Sequence, residues 1–410
     1  MADFILPIRR KYLSGLLACG LVACSAPSEQ PHQPLTVSTP FSVLDTKALG
    51  VETVTSFDVY AEGLLLHALF AATVANQANF VGYIQSEDGG QHWSTPVAIG
   101  SVINAPLESK TGNEIQIAAT GDQLLAIWQV TGEIPGMGPL VSVYSRDAGV
   151  NWQAGSNPTA SDTDQSHPDL AADKQGRFHL VWLDDRDENG YQGLRYARSD
   201  DAGQHWQLAQ TLDDSSCSCC WNRLLTGEDG QLNVLYRDME PRDMALAQSQ
   251  DSGQTWQRLS SVGEFNWVFN GCPHNGGGLA HTADKHLHSV VWTGADNKVG
   301  LYYLHSTDAG KTWSAPQPIA AQTSPFHSDI AALNSQHLVV IWDALGQNGY
   351  TVMLSESFDA GQHWSEARQI STAGSSASFP RLAVTNSGVL AMWWQQAPGA
   401  SKQWVSAILN

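Results

Sequence analysis

Charge is scarce in this sequence, and basic charge scarcest of all. Only 15% of the 410 residues are Asp, Glu, Lys or Arg, with 21 basic residues against 40 acidic ones and a formal net charge of −19. Recognition of nucleic acid rests on clustered Lys and Arg that neutralise phosphates. Beyond residues 9–11 the chain has no such cluster, which excludes nucleic acid as a partner. Long apolar runs are lacking too. Past the first two dozen residues no segment is apolar over enough length to span a bilayer. Cysteine is rare: Cys19 and Cys24 lie near the start, and only Cys217, Cys219, Cys220 and Cys272 follow.

The first residues read as a leader. Arg9, Arg10 and Lys11 precede a short apolar run, Tyr12 to Val22, which is too short to span a membrane. The run ends in Leu21-Val22-Ala23-Cys24, which looks like a bacterial lipobox and implies cleavage before Cys24 and diacylglycerol on its sulfur. Leu16-Leu17-Ala18-Cys19 has the same form but leaves a very short apolar region, so Cys24 is the expected lipidation site. In lipoproteins of this kind a Ser at the next position, here Ser25, favours the outer membrane. The organisation expected is therefore a signal peptide at 1–23, a Ser/Pro/Gln-rich tether at 24–40 and a folded domain at 41–410, held in the cell envelope by the lipid. Loss of residues 1–23 removes three bases and one acid and leaves a net charge of −21.

One octet, Ser-x-Asp-x-Gly-x-x-Trp, recurs six times. It appears as Ser86/Asp88/Gly90/Trp93, Ser145/Asp147/Gly149/Trp152, Ser199/Asp201/Gly203/Trp206, Ser249/Asp251/Gly253/Trp256, Ser306/Asp308/Gly310/Trp313 and Ser357/Asp359/Gly361/Trp364. The steps from Ser to Ser are 59, 54, 50, 57 and 51 residues, a period that marks a repeat architecture. Each unit carries the same succession of strand signals. A short strand (Asp169 to Ala171) precedes an apolar strand ending in an aromatic (His179 to Trp182), and a third (Leu194 to Arg198) leads into the octet. A fourth is expected after the Trp. Four short antiparallel strands per unit form a propeller blade.

The octet has a physical logic. Ser and Asp side chains can bond the free N–H groups of a tight turn. Gly supplies the positive φ such a turn demands. The Trp can bury a large ring between neighbouring sheets. The pattern resembles the Asp boxes of sialidases and other BNR-repeat proteins over residues 56–410, and in that family the boxes are structural. The fold expected is thus an all-β propeller of four-stranded antiparallel blades. The six boxed units are followed by an unboxed one, Phe379 to Leu409, with three strands. A fourth strand from around Leu35 to Leu49 would close the ring at seven blades; six remain if the first unit is irregular.

Residues just before each innermost strand point to the channel mouth. Aligned by unit they are Glu114, His167 and Asp169, Cys219, Cys220, Trp221 and Arg223, Cys272 and His274, His327 and Asp329, and Phe379 and Arg381. The sharpest local feature is Cys217-Ser-Cys219-Cys220-Trp221-Asn222-Arg223, followed one unit later by Gly271-Cys272-Pro273-His274. In an oxidising envelope, disulfides are one reading. A pair within 217–220 would be strained, so Cys272 is expected to bond one of the three. The other reading is a metal site on Cys219, Cys220, Cys272 and His274, with His167 or His327 in reach, suited to copper or zinc.

A second feature is Arg237-Asp238-Met239-Glu240-Pro241-Arg242-Asp243. It forms either an exposed ion-pair lattice or a set of Arg forks for an acidic ligand. Together with Arg223, Arg381, His167 and His327, the residues Arg237, Asp238 and Arg242 make the candidate ligand-binding set. The combined run is similar to a signature of bacterial envelope proteins labelled sialidase-like. A sialidase needs three arginines on the substrate carboxylate, a Tyr nucleophile with a supporting Glu, and an Asp acid/base. The Arg-Ile-Pro motif that carries the family's first Arg is missing, and Leu35 to Ile84 contains no Arg. The leading expectation is an envelope-anchored binding protein with a ligand or metal site at the channel mouth. The alternatives are a glycoside hydrolase acting on sialic acid or a related acidic sugar, and a scaffold that docks proteins.

Overall fold

The computed structural model describes Met1 and residues 33–74, 77–103, 105–133, 136, 138–159, 165–185, 192–320, 324–347 and 349–410. The leader, Cys19, Cys24 and most of the tether lie outside the described residues. The compact unit runs Leu35–Asn410. It is a seven-bladed β-propeller, each blade a four-stranded antiparallel sheet. The innermost strands are Val51–Glu62, Gln116–Thr120, Gln165–Ala172, Arg223–Thr226, Gly277–His281, Ser324–Ala332 and Ser376–Thr385, for blades 1 to 7. Among the described residues the helical structure amounts to two single turns, Gly100–Val102 and Glu228–Gly230.

The ring closes as the missing fourth strand required. Phe41–Ser42 pairs with Gln403–Leu409 and completes blade 7, with Phe41 opposite Ser406 and Ser42 opposite Val405. The pairing extends upstream: Thr36 and Asn410 exchange backbone hydrogen bonds of 2.7 and 3.0 Å, and Val37 bridges Leu409. Joining the two ends of the chain in one sheet gives every blade two neighbours and leaves no exposed gap in the ring.

Apolar faces of adjacent blades supply the core. Ala118, Leu125 and Ile127 of blade 2 pack on Leu170, Phe178, Leu180 and Trp182 of blade 3, and the other interfaces repeat the theme. In four blades the aromatic near the end of the second strand is the anchor: Trp128, Trp182, Tyr236 and Trp342 are essentially inaccessible.

All six boxes adopt one geometry. In the fourth, Ser249 Oγ donates to Asp251 Oδ1 (2.8 Å) and accepts from the Gly253 N–H (2.8 Å), while Asp251 accepts from Thr255 N (2.8 Å). Gly253 is required twice over. Its φ is +82°, and a Cβ there would sit 1.8 Å from Tyr196 Oη of blade 3. The box Trp rings are half-buried rather than fully buried, each lying against the preceding blade. Trp152 packs on Tyr83, Trp256 on Tyr196 and Trp364 on Tyr303, with centroids 4.8–5.3 Å apart.

Candidate metal centre and channel mouth

Three aspartates at one register position tie blades together. Asp58 accepts from Ile117 N (2.8 Å), Asp169 from Leu224 N, and Asp329 from Leu382 N (3.0 Å), each in the next blade. At the same position blades 4 and 7 carry Arg223 and Arg381. Opposite charges thus share one register position, and Asp58, Asp169 and Arg223 line a channel cavity of about 480 Å³. Burial works against the Arg223 charge, and Asp329, Asp169 and Asp58 more than offset it. Burial also pushes the Asp169 carboxyl up to about 6, against the pull of Arg223. Glu114, buried beneath Ser56, rises to about 7 for the same reason, against the pull of Arg381.

At one end of the channel a narrow cleft is lined by Trp221, Arg223, His327, Asp329, Phe379 and Arg381. His327 is locked there. Its Nδ1 lies 2.6 Å from the buried Asp343 carboxylate, and its ring stacks on Phe379 at 3.7 Å. Asp343 also accepts the N–H groups of His327 and Phe379 (both 2.9 Å). His327 is therefore held on the cleft side, by partners that include no cysteine.

The cysteines gather on the fourth and fifth blades. Cys217 Sγ lies 3.8 Å from Cys219 Sγ and 3.4 Å from Cys220 Sγ, and all three residues are buried. A second group joins Cys219 to Cys272 and His274, whose ligand atoms lie within 4.8 Å of one another. Cys272 and His274 are exposed. The expected disulfide from Cys272 is absent, all four thiols being free; Cys217 and Cys220, 3.4 Å apart, are also far beyond the roughly 2.05 Å of an S–S bond. Cys272 does come near the 217–220 segment, but as an unbonded neighbour of Cys219.

Polar groups converge on these sulfurs. Arg242 donates from Nη1 to Cys217 Sγ (2.9 Å), and the Asn275 N–H donates to Cys220 Sγ (3.4 Å). Hydrogen bonds from the Cys219 and Cys220 thiols, then the Arg242 charge, pull the Cys217 thiol below its usual value. The same bonds push Cys219 up, and burial pushes Cys220 up. His274 sits at φ +50°, a left-handed conformation rare outside glycine. Such strain is held only where surrounding contacts fix it. His167 shares that conformation. Burial first, then the His274 charge, lower its imidazole to about 4, so it is neutral at neutral pH.

The predicted ligand-binding set divides: Arg223, Arg381 and His327 share the channel-end cleft, while Arg237, Asp238 and Arg242 do not join them. Arg237 is buried and donates to three backbone carbonyls, those of Asn275 (2.8 Å), Arg242 (2.7 Å) and Trp292 (2.9 Å). It bolts the 237–243 loop to the segment after His274. Asp238 pairs with Arg258 (2.8 Å). Arg242 turns to the thiols and to the Phe269 carbonyl. Arg223 and Arg381 line the channel among acids. Arg237 thus departs from both sequence readings of the 237–243 loop, an exposed lattice and Arg forks: it is a buried brace whose donors are consumed inside the fold. Cys217, left out of the expected ligands, is central to the thiol group. Its Cys-x-x-Cys spacing to Cys220 was the available signal.

Seven four-stranded blades, six of them carrying Asp boxes, define an Asp-box β-propeller of the sialidase-like class. The chain belongs to the BNR repeat-like domain family, whose sequence model matches residues 34–264. No curated protein sequence matches it. Among solved structures it is similar to a PL25 ulvan lyase (10% identity, 88% of this chain and 95% of that one, TM-score 0.60). It is also similar to YCF48 bound to a D1 peptide (14%, 93% and 96%, TM-score 0.53). NanB sialidase of Streptococcus pneumoniae aligns more loosely (12%, 88% and 68%, TM-score 0.48). At these identities the likeness is one of fold.

Proposed function

We propose that this propeller is an envelope-anchored metal-binding protein that holds a soft ion, copper or zinc, on cysteine and histidine side chains of blades 4 and 5. The observation that carries this reading is the group of three buried, unbonded sulfurs in which Cys219 and Cys220 lie within 3.8 Å of Cys217. Thiolate sulfur selects soft and borderline ions over magnesium or calcium. The exposed Cys272 and His274 beside Cys219 add a mixed sulfur–nitrogen face of the kind copper and zinc accept. The lipobox-like Leu21-Val22-Ala23-Cys24 supports placement at the membrane surface.

Elemental analysis of the purified mature protein, with a thiol count on the same sample, tests this. Stoichiometric copper or zinc, lost on Cys219→Ala or Cys220→Ala in a folded variant, supports it. No metal uptake by the reduced protein overturns it. Anchoring is tested separately: Cys24→Ala should move the protein from the membrane fraction to the soluble one.

A further inference from the structure

We propose that the cluster is binuclear: a deep copper(I) ion on Cys217, Cys219 and Cys220, an outer copper(I) ion on Cys219, Cys272 and His274, and Cys219 bridging the two. This rests on the metal-binding reading above and specifies its stoichiometry, its ion and its route of entry.

The geometry argues for two ions. An ion held by three sulfurs at about 2.3 Å places them about 4 Å apart. Cys217 lies 3.4 and 3.8 Å from its partners, close to that spacing without rearrangement. The ligand atoms of Cys272 and His274 fall in a separate group, which shares only Cys219 with the deep one. No single ion is in reach of all five donors, whereas a thiolate can bridge two soft ions.

The donor number argues for copper(I). Structural zinc takes four protein ligands in a tetrahedron. Each group here offers three among the described residues, and the deep one is closed to solvent. Univalent copper accepts trigonal coordination and prefers thiolate. The balance is simple: each thiol that binds forms a Cu–S bond, its S–H bond breaks, and the proton passes to solvent. Copper supplied as copper(I) exchanges no electrons.

Accessibility sets the order. Cys217, Cys219 and Cys220 are at most 7% exposed, whereas Cys272 and His274 face solvent. An arriving ion meets the outer group first and reaches the deep group by ligand exchange across Cys219. Arg242 beside Cys217 favours the thiolate that completes the transfer.

The test is titration of the reduced mature protein, without residues 1–23 and with the Cys24 sulfur blocked, with copper(I) delivered from a chelator, ions counted by native mass spectrometry and folding checked by circular dichroism. The expected result is two ions in the wild type. A Cys272→Ala/His274→Ala variant should hold one ion that loads slowly and resists chelators. A Cys217→Ala/Cys220→Ala variant should hold one that exchanges fast. A wild type that saturates at one ion, or an outer-group variant that loses both, overturns the binuclear proposal and leaves metal binding standing. Two zinc ions with no copper(I) uptake overturns the assignment of the ion. No uptake of either metal overturns the underlying reading.

Discussion

Arg242 donates a hydrogen bond of 2.9 Å to the sulfur of Cys217, joining the Arg-Asp loop of blade 4 to the cysteine segment that precedes the same blade. A hydrogen bond to a charged acceptor contributes about 2 kcal/mol, more than a neutral one. The guanidinium therefore favours the thiolate that a metal requires. Arg242→Met should weaken copper(I) binding at neutral pH by about tenfold, which corresponds to about 1.4 kcal/mol. The difference should shrink at higher pH, where the thiol ionises without help. Competition against a chromophoric chelator at several pH values measures this. An unchanged affinity in a folded variant would mean that Arg242 serves only its bond to the Phe269 carbonyl.

Arg237 makes the contrasting case. Its three donors all end on backbone carbonyls, and it binds nothing outside the fold. Arg237→Met leaves three buried acceptors unpaired, partly offset by the desolvation a buried guanidinium no longer costs. The expected loss is about 3 kcal/mol of stability. Because the Asn275 carbonyl is one acceptor, the His274 segment should loosen as well. Calorimetry should show a lower Tm, and a variant as stable as the wild type contradicts the bracing role.

Within a single Asp box, the glycine should matter more than the aspartate. Asp251→Ala removes bonds at a solvent-facing turn and should cost about 1 kcal/mol. Gly253→Ala forces a side chain into a left-handed conformation and onto Tyr196, at roughly 3 kcal/mol. Thermal melts of the two variants rank them directly. The reverse order would mean that the turn's hydrogen bonds, and not the approach of blade 3, set the box sequence.

The blades were legible because each box repeats a local requirement: a hydroxyl, a carboxylate and a glycine at fixed offsets. Closure through the N-terminal strand was legible too, since the last unit lacked one strand. The site was legible only in composition. Cysteine and histidine were visible as candidates, but their grouping depends on how far blade 4 is set against blade 5. Arg237 and Arg242 show the limit most clearly. They lie five residues apart in one charged run, yet one braces carbonyls and the other faces a sulfur. Nothing in the run separates them, because the difference arises from the segments at Trp267, Asn275 and Trp292 that fold against it. Asp58 carried a readable signal of its own, since its Asp-Val-Tyr-Ala sequence parallels Asp169-Leu-Ala-Ala and Asp329-Ile-Ala-Ala.

Glu114 makes stability depend on pH in a direction opposite to the usual acid denaturation. Its carboxyl is pushed up to about 7 by burial, while Arg381, the Ser56 hydroxyl and the Gly112 N–H pull it down. The unfolded chain loses this proton near 4.5. The folded protein therefore holds the proton more tightly, and the stability linked to it is fully present below pH 4.5 and lost as pH rises through 7. The ceiling on the effect is about 3 kcal/mol. Asp169 acts in the same sense through a value of about 6. His167, held down to about 4 by burial, works in the opposite sense below pH 6.5, so the Tm of the wild type should fall chiefly between about pH 6.5 and pH 8. Glu114→Gln keeps a neutral group of the same shape beside Ser56 and should flatten part of that fall, leaving the share due to Asp169. Parallel curves for the two proteins would show that Glu114 is already ionised at low pH, held so by Arg381 across the channel.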